Sequence, residues 1–171
     1  MKYLLIFTLF FNSLFAFGEN IQSFEADFVQ TITDEESKVL QYKGTMHSKR
    51  PALVLWNYTS PINKKIYINK KRAIIVEAEL EQAIIKHLRG EIDFFEILAK
   101  AKMLDETHYI AYYKDLEFTL EEENGVIISL AYTDQLENKV IIAFTNQKQN
   151  RPIEDKFFIP KVPKDFDIIR E

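Results

Sequence analysis

The sequence predicts a mostly-β domain, in which an antiparallel meander curls toward a barrel and one apolar helix packs against it. Three observations support this fold class. Many short runs alternate between apolar and polar residues, the connections between these runs are short, and one segment has the periodicity of a helix. Because a period of two places every second side chain on one face of a sheet, such runs are typical of half-buried strands.

The first eighteen residues are predicted to be an export signal. Lys2 supplies a positive charge, residues 3–11 are apolar apart from one threonine, and Ala16-Phe17-Gly18 fits a small-x-small cleavage pattern. Cleavage there would leave Glu19 as the first residue, and Leu14-Phe15-Ala16 is a second choice. The apolar stretch is shorter than a membrane span, although an uncleaved anchor is the alternative interpretation.

The first alternating run follows this signal, where Phe24, Ala26 and Phe28 are separated by acidic residues. Later in the chain, Asn124-Gly125 is the strongest turn signal, because both residues tolerate the positive φ of a type I′ hairpin. Further strands are predicted at residues 40–46, 53–58, 65–68, 73–76, 83–88, 117–121, 126–132, 140–145, 156–159 and 166–169.

A helix is predicted to begin after Asp93. Asp93 has the character of an N-cap, and Glu96 stands at the third helical position, as in a capping box. The apolar residues after the cap recur at helical spacing over about twelve residues. They are Phe94, Phe95, Ile97, Leu98, Ala101 and Leu104. A second, short helix at residues 20–24 is weakly signalled.

Residues 19–171 are expected to form a single domain. Removing Lys2 with the signal leaves 21 basic and 26 acidic residues, a formal charge of −5, which argues against nucleic acid as a partner. There are no cysteines, so the fold uses no disulfides and the chain is not itself a lipoprotein. His47, His87 and His108 are far apart and lack metal-ligand spacing. With no phosphate loop or nucleophile motif either, the sequence favours a protein that is not an enzyme and has no cofactor or metal.

Several short motifs, moderately specific together, are spread over the chain. They are Phe24-x-Ala26-x-Phe28-x-Gln30, Tyr42-x-Gly44, Arg50-Pro51 followed by Trp56, Ser60-Pro61, and Pro163-Lys164-Asp165-Phe166-Asp167. In this combination the chain resembles the periplasmic outer-membrane lipoprotein carrier family, LolA, over essentially its whole mature length. The resemblance implies an unclosed antiparallel β-barrel, a strongly curved sheet covered by one or two helices that act as a lid.

The resemblance also implies a function. Such a carrier receives acylated lipoproteins from an inner-membrane lipoprotein-releasing ABC transporter complex. It shields their acyl chains across the periplasm and delivers them to an outer-membrane acceptor or to the outer membrane itself. Each CH₂ group withdrawn from water contributes about 0.8 kcal/mol, so acyl chains need such a carrier. We expect a monomer.

Residue roles follow from the same resemblance. Arg50 matches the arginine that holds the lid closed by hydrogen bonding to its backbone carbonyls, and a guanidinium fork suits such a latch. Val54 stands where some members have a phenylalanine. The residues expected to contact acyl chains are Phe24, Phe28, Leu53, Val54, Trp56, Phe94, Phe95, Ile97 and Leu98. Alternatives are that these residues only form the core, and that the domain senses lipid or lipoprotein or carries another lipid.

Overall fold

The structure, a computed structural model, describes residues 18–88 and 93–171, and the predicted signal at residues 1–17 lies outside the described residues. The described residues form one twelve-stranded sheet, one α-helix and two 3-10 turns. The strands are β1 (Ser23–Thr33), β2 (Val39–Lys49), β3 (Leu53–Ser60), β4 (Lys64–Asn69), β5 (Arg72–Glu77), β6 (Gln82–His87), β7 (Lys102–Met103), β8 (His108–Tyr113), β9 (Leu116–Glu123), β10 (Val126–Thr133), β11 (Lys139–Gln149) and β12 (Asp167–Arg170). The helix α1 spans Phe94–Lys100, and the 3-10 turns span Ala78–Leu80 and Asp155–Phe158.

The sheet is an open meander. Its strand order is β12-β6-β5-β4-β3-β2-β1-β11-β10-β9-β8-β7, so β12 and β7 are its two edges and the barrel does not close. Neighbouring strands are antiparallel except at one edge, where β12 pairs with β6 in parallel. The predicted fold class, a mostly-β open barrel with a helical lid, is confirmed.

Alternation along the strands separates two faces of the sheet. Phe24, Ala26 and Phe28 are at most 2% exposed and belong to a large apolar cluster that includes α1. We call this side the inner face. On the outer face a smaller cluster forms around Leu55 and Tyr67, and the C-terminal segment after β11 packs against it. The sheet therefore has a hydrophobic core on each side.

Gly44 explains why the Tyr42-x-Gly44 motif needs a glycine. A Cβ atom at this position would lie 2.1 Å from the backbone oxygen of Asn57 and 2.9 Å from the ring of Phe28. Any side chain here would therefore push apart β2 and β3 and displace an aromatic ring of the inner core.

Several local predictions are confirmed and others are wrong. Asn124 and Gly125 both have positive φ, at 52° and 80°, as the predicted hairpin requires. Residues 156–159 are not a strand, because burial of Phe158 against the outer cluster holds them in the 3-10 turn. The short helix suggested at residues 20–24 is also absent, since the chain turns at residues 18–20 and then enters β1.

The helix is shorter than the twelve residues predicted. It ends at Lys100, after which Ala101 is extended at φ −67° and ψ 128°. Lys102–Met103 then pairs with β8 as an edge strand, and Leu104 is exposed rather than buried. Strand pairing therefore overrides helical periodicity here. Within residues 18–88 and 93–171, no helix has the length and apolarity needed to cross a membrane.

Candidate functional site

Helix α1 lies on the inner face and begins where the sequence predicts. One carboxylate oxygen of Asp93 accepts hydrogen bonds from the backbone N–H groups of Phe95 (2.9 Å) and Glu96 (3.2 Å). These bonds satisfy two of the donors that every helix leaves unpaired in its first turn. The cap therefore fixes where the helix starts and which side chains it turns toward the sheet.

The apolar side chains of α1 fill the inner face. Phe94, Phe95, Ile97 and Leu98 are each at most 4% exposed. The ring of Phe94 lies 5.3 Å from the ring of Phe24, which in turn meets Phe144 edge-on at 5.1 Å. The helix thus occupies the space that an apolar ligand under it would need. A ligand can enter this part of the inner face only if α1 moves away.

A second part of the inner face remains accessible to solvent. Its side chains stand opposite one another across five neighbouring strands, and all are half-buried or exposed. These strands are β3, β4, β5, β6 and β12. We call this set the isoleucine row: Trp56, Ile66, Ile75, Ile84 and Ile169. Four interstrand steps of about 4.8 Å give the row a length of about 19 Å. It offers a continuous apolar track along the inner face.

Polar residues border the isoleucine row on one side. The next inner-face positions, in register with Tyr58 on β3, are Lys64, Glu77, Gln82 and Asp167. The side-chain amide of Gln82 donates a hydrogen bond to the carboxylate of Glu77 at 2.6 Å and so satisfies one polar group of this border. An extended apolar chain bound on the isoleucine row would thus have hydrated polar side chains along one side.

Arg50 connects the sheet to the segment that precedes β1. Its Nε donates to the carbonyl of Ile21 at 2.9 Å, and its Nη2 donates to the carbonyl of Gly18 at 3.2 Å. Its backbone N–H donates to the carbonyl of Gln22 at 2.9 Å. The guanidinium also lies 4.8 Å from the ring centroid of Phe95, in cation–π contact with α1. One side chain thus contacts both pieces of chain that cover the inner face.

The segment before β1 is the second piece of this cover. Ile21 is buried in the inner cluster, and a Cβ at Gly18 would lie 2.6 Å from the Cβ of Leu98 on α1. Gly18 also has a φ of +78°, a region that favours glycine. If cleavage occurs after Gly18, Arg50 keeps its bonds to Ile21 and Gln22 and loses one acceptor.

The structure brings most of the expected acyl-contact residues together on the inner face. Phe24, Phe28 and Val54 are buried there with the four residues of α1, and Trp56 meets Phe28 edge-on at 5.0 Å. Leu53 does not lie with them. It points to the outer face and packs against the outer cluster, because it alternates with Val54 along β3.

Ser48 and the isoleucines were not identified from the sequence. Ser48 is fully buried on the inner face, in register with Phe24 and Val54, and its hydroxyl has no hydrogen-bond partner among the described residues. A buried unpaired hydroxyl destabilises the folded state by about 1–3 kcal/mol. The isoleucines were assigned to strands, but their shared face depends on the register between the consecutive strands β3, β4, β5 and β6 and on the pairing of the distant β12 with β6.

Tyr58 lies between the apolar part of the inner face and Lys64, whose ammonium nitrogen is 5.0 Å from the centroid of the tyrosine ring. Burial raises the pKa of Tyr58, with smaller contributions from Tyr132 and Tyr42. Its hydroxyl donates to the side-chain oxygen of Gln30 at 3.0 Å.

The histidines lie apart, as their spacing indicates. His47 is on the outer face, stacked on Phe157 with ring centroids 4.9 Å apart, and burial lowers its pKa. The ring of His108 lies 2.9 Å from a carboxylate oxygen of Asp105 in an exposed loop. The pKa of Asp105 is lowered to about 2, first by the backbone N–H of Thr107 and then by His108.

Together, the fold and the inner face define an open half-barrel with an apolar face that a short helix and an N-terminal segment partly cover. The family model for the outer membrane lipoprotein carrier protein LolA matches residues 19–93. The chain is 38% identical to the outer-membrane lipoprotein carrier protein of Campylobacter jejuni over 99% of each chain. It is 34% identical to that of Wolinella succinogenes over 100% of each chain. The chain therefore belongs to the outer-membrane lipoprotein carrier family, LolA.

Solved structures agree with this fold at low sequence identity. An uncharacterised conserved protein from Thermus thermophilus superposes with a TM-score of 0.54 at 11% identity, covering 89% of this chain and 92% of its own. A LolA superfamily protein from Nitrosomonas europaea superposes with a TM-score of 0.53 at 12% identity, covering 82% and 91%. At these identities the comparison concerns the fold alone.

Proposed function

We propose that this protein is a periplasmic carrier that shields the acyl chains of lipoproteins and delivers them to the outer membrane. The observation that carries the proposal is the inner face, which combines a helix-covered apolar core with the accessible isoleucine row. Relatives that match the chain end to end are named outer-membrane lipoprotein carrier proteins. The function requires binding and release, and we infer that the protein is not an enzyme.

The two parts of the inner face have different roles in this proposal. The isoleucine row is open at rest and accepts the first length of an acyl chain. Further chains displace α1, whose apolar side chains exchange sheet contacts for lipid contacts. The helix loses its apolar contacts with the sheet as the lipid replaces them. The net free energy of loading is therefore smaller than the value expected from the apolar area of the lipid alone. Small net affinity lets the carrier release its cargo without a nucleotide.

Arg50 acts as the latch of the cover in this proposal. It holds Gly18 and Ile21 through their carbonyls and Phe95 through its ring, so opening breaks several contacts at one residue. Fixed donors on a guanidinium re-form these bonds in one geometry, which favours return to the closed state and expulsion of cargo. The latch therefore acts mainly on transfer rather than on uptake.

The partners follow from the same role. Cargo comes from an inner-membrane lipoprotein-releasing ABC transporter complex and passes to an outer-membrane acceptor or the outer membrane itself. Residues 1–18 are the export signal in this proposal, and residues 19–171 are the carrier domain, acting as a monomer.

A displacement assay tests the carrier function. The purified protein is loaded with a fluorescent fatty acid, and a triacylated lipopeptide should displace it. Ile84→Asp, which places a charge in the isoleucine row, should weaken lipopeptide binding about tenfold, given the value of burying one isoleucine. The matched control is Ile141→Asp, because Ile141 is half-exposed and alternates with the inner-face residues of β11. Failure of the wild-type protein to take up lipopeptide, or equal loss in both variants, would contradict the proposal.

A further inference from the structure

The C-terminal segment on the outer face has an unusual distribution of charge and apolar surface. Residues 156–164 read Lys-Phe-Phe-Ile-Pro-Lys-Val-Pro-Lys. Phe158 is buried in the outer cluster and anchors the segment, whereas its neighbours Phe157 and Ile159 are 40% and 61% exposed. The three lysines are all exposed. The segment thus presents apolar side chains to solvent with a cation on each side.

A groove lies between this segment and the outer face of the sheet. It has a volume of about 410 Å³. Leu55 and Tyr67 on the sheet and Phe157 and Ile159 on the segment form its apolar walls. Its cationic lining residues are Lys65, Lys156 and Lys161; His47 also lines it, and no carboxylate does. The groove is therefore both apolar and cationic.

The lysines of the groove are largely available for an external anion. Lys65 and Lys161 make no ion pair among the described residues. Lys156 pairs with Glu154 at 2.7 Å, but both side chains are exposed to solvent. Exposed pairs of this kind contribute little and exchange readily. Asp155 is held by Lys49 at 2.6 Å, and Glu25, which lies 3.6 Å from the His47 ring, is held by Lys148 at 2.6 Å.

From this combination we propose that residues 156–164 and the groove dock the protein onto an anionic phospholipid surface. Phe157 and Ile159 enter the boundary between headgroups and acyl chains, and the lysines contact the phosphate groups. An acidic protein surface would satisfy the lysines but would leave the protruding Phe157 and Ile159 without an apolar environment. This surface lies on the opposite side of the sheet from α1 and the isoleucine row, so docking leaves the inner face accessible.

Vesicle binding tests the proposal. The purified protein should sediment with vesicles of phosphatidylglycerol and phosphatidylethanolamine and not with phosphatidylcholine vesicles, and added salt should weaken the binding. Each lysine near an anionic surface raises the affinity for the vesicle about fivefold. The triple variant K156Q/K161Q/K164Q should therefore bind the vesicles about a hundredfold more weakly. Lys102 and Lys139 are exposed elsewhere in the sheet, and K102Q/K139Q should bind unchanged.

The apolar contribution is tested separately. Ile159→Ser should weaken vesicle binding about tenfold. Leu136→Ser is its control, because Leu136 is 78% exposed in the β10–β11 loop, and it should have no effect. Thermal unfolding of each variant checks that the fold is retained. Ile159 is chosen over Phe157 because Phe157 stacks on His47, and its replacement would also remove a contact within the protein. The proposal is overturned if the wild-type protein binds both vesicle types equally or binds neither. It is also overturned if the control variants lose as much vesicle affinity as the test variants.

Discussion

Removing the cap of α1 should open the cover of the inner face. In Asp93→Ala the backbone N–H groups of Phe95 and Glu96 lose their acceptor. Loss of such a cap destabilises a helix by about 1 kcal/mol. The helix has only seven residues and owes its stability to the cap and to its packing, so the loss should appear in the local opening equilibrium.

The expected magnitude follows directly. A change of about 1 kcal/mol raises the open population about fivefold. Amide hydrogens of residues 97–101 should exchange about fivefold faster, while those of the central strands β1 and β11 keep their rates. If ligands bind the open form, the apparent affinity for a triacylated lipopeptide should improve by the same factor.

A matched control separates the cover from a general loss of stability. Asp134 makes the same kind of bond, accepting from the N–H groups of Leu136 and Asn138 at 2.9 Å each, but in the β10–β11 hairpin. Asp134→Ala should therefore leave exchange at residues 97–101 unchanged. Hydrogen exchange read by mass spectrometry distinguishes the two. Unchanged exchange of α1 in Asp93→Ala, or an equal rise across the whole sheet, would refute the idea that the helix opens as a separate unit.

Three further predictions concern single side chains. Arg50→Leu should still take up lipopeptide but transfer it poorly in a reconstituted assay; Arg72→Leu, at an exposed position, is the control, and unchanged transfer in Arg50→Leu would count against the latch. Ser48→Ala removes an unpaired buried hydroxyl, so the midpoint of thermal unfolding should rise by about 2–4 °C, and a fall would show that the hydroxyl is satisfied. Burial lowers the pKa of His47 below its ordinary 6.5, against a weaker raising effect of Glu25. This histidine is therefore protonated at a higher pH in the unfolded chain than in the folded protein. Stability is lost as the pH falls from about 6.5 toward the lowered pKa of the folded state. His47→Gln should flatten this acid slope in urea denaturation, while the exposed His87→Gln should not.

Features that depend on local sequence were predictable. The alternation around Phe24 and Phe28, the Asn124-Gly125 turn and the Asp93 cap each depend on residues within a few positions of one another. Arg50 was identified through a family resemblance; it donates hydrogen bonds to the carbonyls of Gly18 and Ile21, and its role as a latch stays a prediction.

Features that depend on the register between strands were not predictable. The isoleucine row exists because the register between the consecutive strands β3, β4, β5 and β6 aligns residues nine or ten positions apart, and β12 adds Ile169 from the far end of the chain. The end of α1 was misplaced for a related reason, since β7 gains backbone hydrogen bonds from β8 that no periodicity signals. The position of Leu53 on the outer face was not predictable, because an apolar run with apolar residues on both faces does not reveal which face each residue takes.

The two edges of the sheet have a consequence for solubility at high concentration. An exposed edge strand presents unpaired backbone groups onto which another chain can add, and this is a common start of aggregation. Here one edge is β7, with two residues, and the other is β12, with four residues, which shields the longer β6. Short edges give an incoming strand few hydrogen bonds to form. A protein with an accessible apolar row on its inner face is thereby protected from growing into fibrils through its outermost strands.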